Sequence, residues 1–191
     1  MRSSTIKTAS APKKTSNSCN NHPILMPPYT VNPATPSDVP LLLEMIRELA
    51  GFEQLAHELE VTEDLLQAAL FGSNPVARAL VARLNGRPAG YAVFYQTFST
   101  FVGRPGIFLD DLFVRPPFRK RGLGRALLTR VAEIGAEWGG GRFEWITLRW
   151  NENAFRFYRS IGASVMNEWA LLRMDGREVG KLVGAKAKVA V

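Results

Sequence analysis

Apolar residues along this chain recur in two rhythms, every second position and every third or fourth, and the changes of rhythm outline its elements. Tyr29 to Asn32 reads as a short strand. Leu41, Leu42, Met45, Ile46 and Leu49 make one helical stripe that Ser37 can cap, and Thr62, followed by Glu63 and Asp64, opens a second helix ending near Gly72. Ala79 to Leu84 and Pro88 to Phe98 flank Asn85-Gly86, a strong hairpin signal. Beyond them lie an apolar strand, Ile107 to Val114, and a helix with Leu123, Leu127, Leu128, Val131, Ala132 and Ile134 on one face. A strand from Arg142 to Leu148, a helix within Trp150 to Ala163 and a final antiparallel pair around Asp175-Gly176 complete the order. Strand, two helices, hairpin, strand, helix, strand, helix, strands is an α+β order built on a mixed sheet.

Between the Ile107 strand and its helix runs Arg119-Lys120-Arg121-Gly122-Leu123-Gly124-Arg125. Two glycines let a backbone approach a ligand closely, the first N–H groups of a helix carry the positive end of its dipole, and the cations add charge. The segment therefore reads as a diphosphate cradle. No Gly-Lys-Ser/Thr follows, which excludes a P-loop, and the third glycine of a dinucleotide fingerprint is missing. What remains is Arg-x-x-Gly-x-Gly. By itself it fits a basic solvated turn equally well, so the decision rests on the residues downstream.

There, Asn151, Ala154, Tyr158 and Gly162-Ala163 spell Asn-x-x-Ala-x-x-x-Tyr-x-x-x-Gly-Ala. The two motifs, in this order and context, resemble the coenzyme site of the GCN5-related N-acetyltransferases (GNAT). The resemblance implies a mostly antiparallel mixed sheet flanked by helices in a single domain, and acetyl-coenzyme A as co-substrate. Asn32 to Asp38, Glu48 to Glu53, Thr97 to Gly103, Leu109 to Val114 and Trp150-Asn151 look, within it, like the diamine acetyltransferases. The likeness runs from about Tyr29 to Met174 and is nearest the thialysine branch and plant relatives that acetylate ornithine-like diamines. Carried over, Leu112, Phe113 and Val114 pair with the pantetheine, and Arg119, Lys120, Arg121, Gly122, Leu123, Gly124 and Arg125 hold the diphosphate. Asn151 and Asn153 line the coenzyme arm, while Phe52, Glu53, Ser99, Phe101, Asp110 and Glu168 face the acceptor amine.

The chemistry asks for two proton transfers. A lysine-like amine with a pKa of about 10.4 must lose its proton before attack, and Asp110 is the candidate base, directly or through water. The departing thiolate needs a proton, which Tyr158 can give because its pKa of about 10 exceeds the roughly 8.5 of a thiol. On pattern alone Tyr158 shares a helix face with Phe155 and Ile161 and reads as core; the Asn-x-x-Ala context reverses that. Two departures bear on the acceptor. Ser99 stands where polyamine enzymes carry an Asp, and Arg149 replaces an acid or other residue, so short amines are expected over spermidine and spermine.

With 191 residues the chain supports one core, and its 46% apolar content contains no long apolar run, which excludes a membrane span. The single cysteine, Cys19, lies in the leader, so no internal disulfide and no acetyl-cysteine in the body is possible. Neither His22 nor His57 has ligand-spaced partners, and no metal is expected. Of the net charge of +7, residues 1–37 hold +4 and 181–191 hold +3, leaving a neutral body that lacks the basic face of a nucleic-acid binder. Within it residues 38–64 balance at −7 and 104–130 at +5, which suits a cationic acceptor beside an anionic coenzyme.

The expected layout is a disordered basic leader over 1–28, an acetyltransferase domain over 29–180 and a basic tail over 181–191. The leader lacks a secretory signal; a cytoplasmic location is expected, with a transit peptide as the alternative. The resemblance implies a homodimer, and the apolar stretch Trp169 to Met174 is expected as a strand edge that a second subunit covers. A protein-lysine or N-terminal acetyltransferase and a non-catalytic acyl-coenzyme A module remain open alternatives.

Overall fold

Residues 29–184 are described by the structure, a computed structural model; the leader with Cys19 and the last seven residues lie outside them. The chain divides into two compact units after Glu144.

The first unit is built on an open sheet in the order β1 (Tyr29–Pro33), β2 (Arg78–Leu84), β3 (Arg87–Ser99), β4 (Arg104–Val114), β5 (Arg142–Trp145). The pairs β1–β2, β2–β3 and β3–β4 are antiparallel. Asn85 and Gly86 both take positive φ, 50° and 76°, as the tight β2–β3 turn demands. Alternation sorts the side chains by face. Ala79, Val81, Tyr91, Val93 and Phe113 pack with Val39, Leu42, Leu43 and Met45 of α1 (Val39–Glu53) and Leu66 and Leu70 of α2 (Glu63–Phe71).

On the other side α3 (Leu123–Glu137) packs against β3 and β4. It buries Leu123, Leu127, Leu128, Val131 and Ile134, each worth roughly 2 kcal/mol. Gly135 is the point of closest approach: a Cβ there would lie 2.7 Å from Ile107 Cδ1.

Two local devices fix α1. The cap falls not at Ser37: Thr35 caps the preceding single turn, its N–H donating to Asp38 Oδ2 (2.9 Å), and Asp38, at the cap position of α1, accepts from Arg83 at Oδ1 (2.6 Å). Burial opposes ionisation of Asp38, but the bonds from Thr35 and Arg83 outweigh it and hold the carboxyl below its ordinary range. Ser37 stays exposed because the single turn Pro36–Asp38 precedes the helix. Farther along, Arg115, at the end of β4, donates from Nη2 to Glu44 and Glu48 (both 2.6 Å) and from Nε to Glu48 (3.1 Å).

The second unit contains α4 (Glu152–Ser160) and α5 (Gly176–Leu182). Gly162 at φ 93° ends the α4 segment, with Ala163 N–H donating to Tyr158 O. Two expectations need correction. The strand from Arg142 stops at Trp145 instead of reaching Leu148, and the final antiparallel pair is replaced by α5. Asp175 is a helix cap here, accepting from Arg177 N–H (3.0 Å) and Glu178 N–H (3.1 Å), so Asp-Gly opens a helix where a turn was expected. Trp169 to Met174 accordingly forms no strand and no sheet edge.

Candidate active site

β4 does not keep step with β3. Phe94 pairs with Leu109 and Val93 with Asp111, leaving Asp110 as the extra residue of a bulge. Without the bulge two adjacent acids would point to opposite faces. With it, Asp110 and Asp111 share the face of Tyr91, Val93 and Tyr95. Asp111 accepts a 2.9 Å hydrogen bond from Tyr91 Oη, and Tyr91 is fully buried.

Glu53 joins these acids from the last position of α1, which Gln54 terminates at φ 63°. Burial raises the Asp111 carboxyl to about 6; the Tyr91 bond works against this, and the charges of Asp110 and Glu53 add to it. Desolvation also raises Glu53 and Asp110. Asp110 is the most exposed of the acid pair, yet its surroundings still disfavour the charged form. Among the described residues none of the three carboxylates has an Arg, Lys or His ion-pair partner. Three acids that resist ionisation and lack a counter-charge form a place for a cation.

Other expected acceptor residues surround the same strands. Phe52 precedes Glu53 on α1. Ser99 ends β3, and its Oγ accepts from Val102 N–H (3.3 Å) in the β3–β4 turn, where Phe101 is 94% exposed. Tyr95 stacks on Phe108 at 5.4 Å, one step along from Asp110, and burial together with the Asp110 charge raises its phenol.

The cradle follows from β4. Leu112, Phe113 and Val114 end the strand, a single turn spans Pro116–Phe118, and Gly122 at φ 83° is the cap position of α3. A Cβ on Gly122 would meet nothing nearer than a Tyr29 ring atom at 4.0 Å, so the backbone angle requires glycine there and the space beside it is open. α3 has no side-chain cap, which leaves its first-turn N–H groups facing that space. Leu123 is buried and anchors the turn; Lys120, Arg121 and Arg125 are exposed, and Gly124 is half-buried. Arg119 does something else. Its Nε donates to Val114 O (2.8 Å) and its guanidinium lies over the rings of Phe52 (5.0 Å) and Phe113 (5.8 Å). It ties the cradle to the end of α1 as well as contributing charge.

In the second unit, Asn151 caps α4 by accepting from Ala154 N–H (3.1 Å), and Asn153 Oδ1 accepts from Arg156. Tyr158 is half-buried, its ring tilted against Trp145 at 4.9 Å and Phe157 at 5.3 Å. Glu168 is exposed in a stretch without regular structure. An open groove of about 430 Å³ is lined by Arg149, Arg156 and Arg159 with Glu152, and Tyr158 is not part of its lining.

Residues 42–163 match the model of the Acetyltransferase (GNAT) family. The chain belongs to that family. It is 34% identical over 165 residues to thialysine N-epsilon-acetyltransferase of Mus musculus, covering 81% of this chain and 96% of that protein. It is 31% identical over 188 residues to L-ornithine N5-acetyltransferase NATA1 of Arabidopsis thaliana, covering 75% and 82%. An aminoglycoside acetyltransferase, meta-AAC0020, from an uncultured soil metagenomic sample shares the fold with a TM-score of 0.66 at 19% identity, over 78% of this chain and 96% of that one.

Against that family background, Asp111, Tyr91 and Tyr95 are the residues that sequence reasoning left out. The available signal was the doubled acid itself. In a strand whose neighbours alternate, Asp110-Asp111 places one charge on an apolar face unless the strand bulges.

Proposed function

We propose that this GNAT enzyme transfers the acetyl group of acetyl-coenzyme A directly to a primary amine of a small cationic acceptor, a short diamine or a basic amino acid of ornithine, lysine or thialysine type. The observation that carries the reading is the trio Glu53, Asp110 and Asp111, three carboxylates without a cation among the described residues. The names of the two relatives support it, as do the neutral Ser99 and the positive Arg149, which remove charges that a long polyamine would use.

Asp110 takes the proton of the acceptor ammonium, directly or through a water, and the freed amine attacks the thioester carbon. A new C–N bond forms as the C–S bond breaks, and Tyr158, the acid of the Asn-x-x-Ala-x-x-x-Tyr motif, protonates the thiolate. A base whose carboxyl is raised by desolvation suits this task better than an ordinary surface acid. Gly122, the open first turn of α3 and the cations of 119–125 supply the diphosphate cradle. Among the described residues no group of His, Cys, Asp or Glu is arranged to hold a metal, and no helix is long and apolar enough to cross a membrane.

The assembly is a homodimer. Trp169 and Leu172 are 72% and 89% exposed, and a second copy is the occupant that the family resemblance supplies for them. Thiol release from acetyl-coenzyme A, measured across ornithine, lysine, thialysine, short diamines, spermidine and spermine, tests the reading. The expected result is turnover with the short amines and higher kcat/KM for them than for spermine. Turnover only with a lysine-bearing protein tail, or with nothing, overturns it.

A further inference from the structure

Tyr91 is fully buried in the layer between β3 and α1, with Phe113 as its tilted ring neighbour at 6.2 Å. Its hydroxyl carries one described bond, to Asp111 Oδ2 at 2.9 Å. A buried phenol needs a partner, but a neutral carbonyl or amide would serve with far less desolvation than a carboxylate. Asp111 also lies on the face that the bulge gives to Asp110, within reach of the charges of Asp110 and Glu53. The Tyr91–Asp111 bond is thus a costly choice for packing alone.

Resting on the functional reading above, we propose that Tyr91 and Asp111 form a positioning pair for the acceptor amine. Tyr91 fixes the Asp111 carboxylate on the side of β4 to which the bulge turns Asp110, so that the acceptor ammonium meets two oriented acids. The groups that face Asp111 are Tyr91 from β3, Asp110 from its own strand and Glu53 from α1; Tyr95 stands beside Asp110. Arg119, the cation over the Phe113 ring, spends its Nε on Val114 O. The Tyr91 bond favours the ionised form of Asp111, and its loss lets burial and the two neighbouring acids keep the proton on.

Tyr91→Phe keeps the ring and removes the hydroxyl, and Asp111→Asn keeps the shape and removes the charge. The KM of the amine, the KM of acetyl-coenzyme A and kcat are measured from pH 6 to 9 and expressed relative to wild type. Tyr91→Phe should raise the amine KM about tenfold near pH 7, the size expected for a hydrogen bond to a charged group. That deficit should shrink toward pH 9, where Asp111 ionises without help, and the part that remains is the loss of orientation. Asp111→Asn should show a deficit of similar size at every pH, and the KM of acetyl-coenzyme A should stay within about twofold in both.

An amine KM unmoved by Tyr91→Phe, a deficit that alkaline pH does not relieve, or one shared equally by acetyl-coenzyme A overturns the proposal. A wild-type chain that acetylates no amine fails the functional reading alone. The pair is then judged by carbon-13 titration of the Asp111 carboxyl, which must titrate higher in Tyr91→Phe than in wild type; equal midpoints overturn it.

Discussion

Asp111 is raised to about 6 in the folded chain, first by burial and then by Asp110 and Glu53, against about 3.9 for an unfolded Asp. Between those values the native state binds more protons than the unfolded one, so stability falls as pH rises from about 4 to about 6 and the loss is complete above that. At roughly 1.4 kcal/mol per pH unit the cost over about two units is about 3 kcal/mol. Asp111→Asn should therefore be more stable than wild type by about 2–3 kcal/mol at pH 7.5 and equal to it near pH 4, because the Tyr91 hydroxyl can still donate to the amide oxygen. Urea denaturation at the two pH values checks this, and a variant no more stable at pH 7.5 contradicts it. Tyr158→Phe is the complementary case. The ring should keep its packing on Trp145 and Phe157 while turnover falls ~10² to 10⁴ with little change in acetyl-coenzyme A affinity, as removal of a general acid requires. Equal turnover returns Tyr158 to a packing role. The candidate motif residues and Asp110 could be named from sequence through the family resemblance; Tyr91 could not, because a Tyr in an apolar strand announces nothing until its partner in the next strand is known.

At the scale of elements, the cradle depends on a backbone angle more than on its charges. Any side chain at Gly122 must adopt φ 83°, which costs about 1–2 kcal/mol outside glycine, and an Asp adds negative charge where the diphosphate is expected. Acetyl-coenzyme A should raise the melting temperature of the wild-type chain and fail to do so for Gly122→Asp or Gly124→Asp. Undiminished thermal shifts in both variants contradict the cradle. The elements also show where reading from sequence stops. Asn85-Gly86 and Asp175-Gly176 are nearly the same signal with opposite outcomes. The first joins runs that alternate and bury, Arg78–Leu84 and Arg87–Ser99, so cross-strand packing selects the turn. The second precedes Arg177, Glu178 and Lys181, whose helical spacing gives a Glu178–Lys181 contact at 3.2 Å, and the Asp175 carboxylate caps that helix. The deciding information lay in the flanks.

For the whole molecule, the GNAT architecture of the first unit was readable almost in full, because its two helical layers and its sheet each announce themselves by period. The second unit was less so: the residues from Ser164 to Asp175 have apolar content without a period, and the structure gives them no regular element. Their exposed Trp169, Leu171, Leu172 and Met174 make the homodimer a sharp expectation. Light scattering at micromolar concentration should return twice the 21.2 kDa chain mass, and Leu172→Glu should shift the population toward monomer while leaving the acetyl-coenzyme A thermal shift in place. A wild-type monomer contradicts the assembly.

The bulge in β4 has a consequence for how relatives of this chain are compared. Strand pairing reads a sequence in a two-letter frame, and Asp110 is the position where the frame between β3 and β4 slips. Removing or adding a single residue between Arg104 and Leu109 would move the slip or erase it, turning one of the two acids to the opposite face of the sheet while leaving the composition of the strand almost untouched. A one-residue gap aligned to this stretch is therefore a candidate change of specificity, and homologues that differ there should not be expected to share an acceptor merely because both carry two acids.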